Sequence, residues 1–265
     1  MKKTVAALLI GSMVFAPLCA GGGKEQPMTD QAMMKEKTEI LVSAAASLTN
    51  CVKELADMYT AQNPHVTITA NFGSSGALQQ QIEQGAPADI FFSAGIKQMN
   101  ALKEKGLMAD ATVKNILENK VVLITPKGAP AVESFEALAG AAVKKIAVGE
   151  PKSVPVGQYT EQIFKSLSLS GSLASKLIFA KDVREVLSWV ETGNVDAGVV
   201  YETDAKISSN VVICAAAPSG SHKKVIYPVG VVKDSKKQME AQKFVDFFFS
   251  DAAKAVFARY GFTVI

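Results

Sequence analysis

Two serine-bearing turns lie near the start of the chain's folded part. Ser43-Ala44-Ala45-Ala46-Ser47-Leu48-Thr49 follows Glu39-Ile40-Leu41-Val42, and Phe72-Gly73-Ser74-Ser75-Gly76-Ala77-Leu78 follows Val66-Thr67-Ile68-Thr69-Ala70. Each reads as strand, small-residue turn and helix start. Small residues let a guest approach the backbone. A helix start leaves N–H groups without intrahelical partners, and a serine adds a hydroxyl donor. Two such ends facing each other make an anion site that needs no positive side chain.

Two more junctions share this character, Val156-Gly157 and Asp182-Val183. None of the four carries Lys or Arg at the turn itself; Arg184 follows just past Val183. Tyr201 ends a run that reads as a buried strand, where its phenol supplies one more donor. A donor-only pocket selects a guest that only accepts, such as the fully deprotonated tetrahedral oxyanions molybdate, tungstate and sulfate. Phosphate near neutral pH keeps a proton and asks for an acceptor. Asp182 is the one carboxylate at these turns, and its expected role is to cap the helix that starts at Val183. Hydrogen bonds to a charged acceptor are worth about 1.5–3 kcal/mol each, while micromolar binding needs only about 8 kcal/mol net. Six or seven donors therefore suffice.

These turns need strands and helices to hold them, and the chain alternates between the two nearly throughout. Strands are predicted at Glu39–Val42, Val66–Phe72, Ile90–Ser93, Lys120–Ile124, Lys145–Val148, Ala197–Tyr201, Val211–Ala215 and Tyr227–Val232. Ile178–Ala180 reads as an extended stretch. Helices are predicted at Asn50–Asn63, Ala77–Gln84, Ile96–Lys105, Gln158–Ser168, Leu173–Leu177, Val183–Thr192, Met239–Phe249 and Ala252–Tyr260. The alternation argues an α/β fold of mixed, mostly parallel sheets flanked by helices. Two lobes are expected, one from residues 38–119 plus 227–265 and one from 120–226. Crossings near Lys120 and Ile226 would form a hinge, with the ligand held between the lobes. Asp89 is expected to bond backbone near the first turn rather than to touch solute.

The chain has 265 residues and a formal net charge of +3, which falls to +1 if Lys2 and Lys3 leave with a leader. A near-neutral chain offers no electrostatic footprint for nucleic acid. Lys2-Lys3, the apolar stretch Val5–Phe15 and the small residues Ala16, Ala20 and Gly21 read as a secretory signal over residues 1–20, followed by a polar linker over 21–37. Cys19 offers a possible lipid-attachment point, although Leu18 departs from the small residue expected before a lipidated cysteine, so export as a soluble form and as a lipoprotein both remain open. Cys51 and Cys214 read as small buried hydrophobes in different lobes, without a mutual disulfide. The two histidines, His65 and His222, are expected at the surface. No Ser-His-Asp set, metal-ligand cluster or paired carboxylates argue for an enzyme, and no cofactor is expected.

In order along residues 38–265, several motifs resemble one family. They are Ala45-Ala46-Ser47-Leu48-Thr49, Phe72-Gly73-Ser74-Ser75-Gly76-Ala77-Leu78, the run from Gln81 through Gly85-Ala86-Pro87-Ala88-Asp89-Ile90 to Ala94, Gly149-Glu150-Pro151 to Val156-Gly157, Asp182-Val183-Arg184, Gly198-Val199-Val200-Tyr201, Ser221-His222-Lys223-Lys224 before Tyr227-Pro228, and Arg259-Tyr260-Gly261-Phe262. The chain resembles the periplasmic molybdate-binding proteins of ABC transporters, which have the type II periplasmic binding protein fold. The resemblance implies capture of molybdate, and of tungstate with it, for delivery to a membrane permease; the sequence gives no sign of oligomerisation, so a monomer is the default expectation. Molybdenum would then be held only as molybdate. The resemblance also implies a ligand set of Ser47, Ser75, Val156, Val183 and Tyr201. The Ser74-Ser75 pair leaves a one-residue ambiguity, resolved by the motif in favour of Ser75. Family members often have alanine where this chain has Val156; the contact there is a backbone N–H, so the added methyls bear on cavity size. The alternative guest is sulfate or another tetrahedral oxyanion.

Overall fold

The computed structural model describes residues 37–130 and 132–265. The leader, Cys19 and the linker up to residue 36 lie outside the described residues. The elements run β1 (Thr38–Ala45), α1 (Thr49–Gln62), β2 (Val66–Gly73), α2 (Ser75–Glu83), β3 (Ile90–Phe92), α3 (Ile96–Glu104), β4 (Lys114–Asn119) and β5 (Val121–Pro126). They continue with β6 (Ile146–Gly149), α4 (Pro155–Ser166), the short α5 (Ser170–Leu173), β7 (Leu177–Ala180), α6 (Val183–Glu191), β8 (Ala197–Tyr201), α7 (Glu202–Lys206) and β9 (Val211–Ala216). The chain closes with β10 (Val225–Val231), α8 (Gln238–Phe247), α9 (Asp251–Arg259) and β11 (Thr263–Val264).

The strands form two sheets, ordered β11-β4-β10-β3-β1-β2 and β7-β6-β8-β5-β9. The chain passes between them at Lys120 and again through residues 217–224. The sheets are mixed, but their parallel share is smaller than the strand-helix alternation predicted. The β1·β2, β1·β3, β6·β7 and β6·β8 pairs are parallel. The β3·β10, β4·β10, β4·β11, β5·β8 and β5·β9 pairs are antiparallel. The two crossings are the cause. A strand leaving a sheet through a hinge and one re-entering beside it run in opposite senses, as β4 and β10 do in one sheet and β5 and β9 in the other.

Apolar patterning explains most of the packing. In α6, Val183, Val186, Leu187 and Val190 are buried at the spacing of one helical face. Phe92 on β3 packs against Phe248 and Phe257 with ring centroids 5.4 and 6.2 Å away. Strand β4 escaped the sequence reading because Lys114-Asn115-Ile116-Leu117-Glu118-Asn119 shows no alternation. Ile116 and Leu117 point to opposite faces, and both are fully buried, so the sheet is covered on both sides. Cys51 and Cys214 are free thiols; Cys51 is buried as expected, whereas Cys214 on edge strand β9 is only half-buried. The histidines are also half-buried rather than at the surface, with the His222 ring 5.6 Å from that of Tyr159.

Candidate functional site

Strand register brings the four junctions to one place. Parallel pairing sets Ala45 opposite Gly73, so the Ser47 and Ser75 turns leave adjacent strands side by side. Gly149 pairs with Ala180 in the same way, which aligns the loops leading into α4 and α6. Tyr201 ends β8, the next strand beside β6. Ser47, Ser75, Val156, Val183 and Tyr201 all line one cavity, together with Ala94, Val154, Pro155 and the carboxylate-bearing Asp182. The cavity is small, with about 200 Å³ of space between and around the protein atoms that line it. A cavity this small suits a compact ion rather than a drug-sized guest.

Two helices begin earlier than their sequence suggested, and the shift matters for the site. Helix α2 starts at Ser75, with Ser74 as its cap: the Ser74 hydroxyl accepts from Ala77 N at 3.3 Å. Ser75 is therefore the first helical residue, fully buried. Helix α4 starts at Pro155, a position that tolerates the missing N–H, which puts Val156 in its first turn. Gly157 lets α4 seat on the end of β6, because a Cβ there would lie 2.7 Å from the Gly149 carbonyl carbon. Asp182 caps α6 as expected, accepting from Arg184 N at 2.9 Å and Glu185 N at 3.0 Å.

These caps leave particular donors over. Among the described residues, the main-chain N–H groups of Ser47, Ser75, Val156 and Val183 have no acceptor in the chain. All four residues are buried, none more than 5% exposed. A buried unpaired N–H costs about 1–3 kcal/mol, so four around one small cavity call for an acceptor-rich guest. Hydroxyls add to them. Ser75 Oγ accepts from Ala94 N at 2.9 Å, which frees its own proton to donate. Tyr201 OH donates to Ala94 O over a long 3.4 Å and can turn to a better acceptor. Burial, reinforced by the neighbouring Tyr227, pushes the Tyr201 phenol well above its ordinary pKa, so it remains a donor.

No cationic side chain lines the cavity. Arg184 stands behind it. Its Nε lies 2.6 Å from Oδ1 of the fully buried Asp204, an ion pair without the alignment of a hydrogen bond, and its Nη2 reaches Ser47 O at 3.5 Å. Burial pushes the Asp204 carboxyl up to about 6 although Arg184 pulls it down. Asp89 lies away from the cavity and bonds the backbone of β1, accepting from Leu41 N at 2.8 Å.

Ala94 was not picked out by sequence reasoning, although Ser93-Ala94-Gly95 between β3 and α3 repeats the strand, small turn, helix pattern of the other junctions. Asn119, Asp204 and Tyr227 were also missed. Each acts through a partner 20 or more residues away, which local patterning does not register. No group of three or more His, Cys, Asp or Glu side chains arranged for a metal ion exists among the described residues.

The profile of the bacterial extracellular solute-binding proteins matches residues 40–263. The chain belongs to that family. YvgL of Bacillus subtilis, provisionally named an ABC transporter substrate-binding lipoprotein, is 43% identical over 97% of each chain. The molybdate-binding protein ModA of Haemophilus influenzae is 40% identical, over 85% of this chain and 90% of its own. The solved periplasmic molybdate-binding protein of Azotobacter vinelandii superposes with a TM-score of 0.76 at 22% identity, over 85% of this chain and 99% of its own. That likeness is one of fold, the two-lobed type II architecture. As a solute-binding family member, the protein is extracytoplasmic, and the donor-lined cavity between its two sheets is its candidate binding site.

Proposed function

We propose that the protein captures molybdate, and tungstate with it, and hands the ion to an ABC transporter permease. The observation that carries this reading is the set of four buried main-chain N–H groups without acceptors, joined by the hydroxyls of Ser47, Ser75 and Tyr201, around a cavity with no cationic side chain. A dianion with four oxygens can accept from all of them. The printed name of the 40% identical Haemophilus influenzae relative supports molybdate as the guest. Ser47, Ser75, Val156, Val183 and Tyr201 form the ligand set in this reading, and Val156 Cγ atoms trim the cavity.

The sheets support lobes of residues 38–119 plus 227–265 and of 120–226, closing about the two crossings. The protein acts as a monomeric receptor, without catalysis and without a cofactor. Attachment through Cys19 is the lipid-anchored form of the proposal, supported by the lipoprotein name of the Bacillus subtilis relative. Calorimetric titration of residues 38–265 with molybdate, alone and with excess sulfate, tests the assignment. Tight one-to-one binding that survives sulfate is expected. Binding abolished by sulfate moves the assignment to a sulfate receptor, and no heat with either anion refutes an oxyanion site.

A further inference from the structure

Ser47 has one hydroxyl proton, and what lies behind the residue decides whether that proton faces the cavity. The chain of contacts begins at Asn119, the last residue of β4 before the Lys120 crossing. Its Oδ1 accepts from Lys120 N at 2.8 Å, which fixes the side-chain amide with Nδ2 on the other side. Nδ2 donates to Thr203 Oγ1 at 2.8 Å and to Tyr227 OH at 3.2 Å. Tyr227 lies on the adjacent strand β10, where Val225 pairs with Asn119 and Tyr227 with Leu117. Its side chain is fully buried. With its oxygen accepting from Asn119, its single proton goes to the oxygen 3.0 Å away, Ser47 Oγ. Ser47 Oγ then accepts, and its own proton is left for the cavity.

Each step follows from counting donors and acceptors. Turning the Asn119 amide over would set two donors, its NH2 and the Lys120 N–H, against each other. Reversing Tyr227 would aim its proton at an amide NH2. Ser75 reaches the same state by a separate route, since its oxygen accepts from Ala94 N. Both serines are thereby held as donors toward the guest.

The geometry points to Asn119 and Tyr227 as positioning residues that set specificity: they fix Ser47 as a donor, and so make the cavity refuse oxyanions that carry a proton. The inference rests on the oxyanion reading above and adds residues outside the cavity wall. A protonated guest such as hydrogen phosphate would set its own O–H against the Ser47 proton, and a relay anchored at the hinge keeps Ser47 from turning to accommodate it.

The test measures molybdate and inorganic phosphate affinities, the latter by competition, for residues 38–265 carrying Tyr227→Phe, Asn119→Asp or both, with thermal melts as the folding control. Asn119→Asp keeps an oxygen for Lys120 N but puts an acceptor opposite Tyr227, which reverses the relay and turns a Ser47 lone pair to the guest. Its added charge weakens both anions alike, so the molybdate-to-phosphate ratio is the diagnostic quantity. That ratio is expected to fall about tenfold in Asn119→Asp and about threefold in Tyr227→Phe. Adding Asn119→Asp in the Tyr227→Phe background should move it little, because the relay is already cut. A wild-type chain that binds no oxyanion sinks the functional reading and this inference with it. A wild type that binds molybdate, with variants that lose both anions equally or neither, overturns the relay alone.

Discussion

Gly76, in the first turn of α2, lies against Ser153 in the loop before α4, and Gly76 N donates to Ser153 O at 2.8 Å. Gly76→Ala tests whether this contact belongs to the ligand-bound state. An added Cβ would lie 2.7 Å from Ser153 Cα and 2.8 Å from its carbonyl carbon, and closer still to the carbonyl oxygen. Carbon atoms in ordinary contact stand about 3.5–4.0 Å apart, so the lobes must part by about 1 Å. Overpacking of this kind costs about 1–3 kcal/mol, and losing the hydrogen bond adds about 0.5–1.5 kcal/mol. Together they come to about 2–4 kcal/mol, or roughly 30- to 1,000-fold in molybdate affinity. The same substitution favours the helix by up to about 1 kcal/mol, so the unliganded protein should melt no lower than wild type. Calorimetry with paired thermal melts reads both quantities. An affinity within threefold of wild type would refute the steric argument, and a lowered melting temperature without ligand would show that the unliganded protein also depends on this contact.

Removing both serine hydroxyls with Ser47→Ala and Ser75→Ala should weaken molybdate by at least about tenfold without unfolding the protein, since two charge-assisted donors are lost; unchanged affinity in calorimetry would dissolve the proposed site. Tyr201→Phe removes one donor and should cost less than the serine pair in the same assay. Saturating molybdate should raise the melting temperature, because only the folded state binds it, and no shift would count against the ligand assignment. Asp204 predicts a pH dependence. Its folded-state pKa is raised from 3.8 to about 6, so the folded chain holds this proton more tightly than the unfolded one. Its stabilising contribution is complete below about pH 4 and lost as pH rises through about 6, a change of up to ~3 kcal/mol. In urea melts from pH 4 to 7, wild type should therefore lose up to ~3 kcal/mol of stability relative to Asp204→Asn as the pH rises; parallel profiles would show that Asp204 does not titrate in this window.

The parts of the site legible in the sequence are those made by local pattern. A strand ending in small residues before a helix start was visible at Ser47, Ser75, Val156 and Val183, and the buried strand before Tyr201 was equally plain. Parallel register then does the assembling, since Ala45 opposite Gly73 and Gly149 opposite Ala180 set neighbouring turns level. Helix starts were read two or three residues late at Ser75 and Pro155, because a serine and a proline in a first turn look like loop until the cap is known. Strand β4 was missed because burial on both faces removes alternation. The Asn119–Tyr227–Ser47 chain was beyond reach for a different reason. Its members lie up to 180 residues apart, and only the pairing of β4 with β10 brings them together.

The donors at the site also explain why closure should wait for the ion. Few direct hydrogen bonds join the lobes: Gly76 N to Ser153 O at 2.8 Å, Gln98 Nε2 to Gln158 Oε1 at 3.3 Å, the long bonds from Tyr201 OH to Ala94 O and from Arg184 Nη2 to Ser47 O, and, beside the crossings, Asn119 Nδ2 to Thr203 Oγ1 at 2.8 Å and Lys224 Nζ to Glu118 Oε1 at 3.4 Å. Each is worth about 0.5–1.5 kcal/mol at good geometry and less when stretched. Against them stand four main-chain N–H groups that water solvates freely when the lobes are apart. The closed cavity has room for about one water. A water oxygen accepts two hydrogen bonds, so at least two of the four N–H groups would stay unpaired, at about 1–3 kcal/mol each. Without ligand these unpaired donors therefore oppose closure by an amount comparable to what the direct contacts contribute. A tetrahedral dianion carries enough lone pairs for every donor, and it meets all of them only when both sheets present their turns together. The differential affinity that drives closure therefore resides in the unpaired backbone donors, and filling their positions with cationic side chains would bind anions in the open form and weaken that coupling.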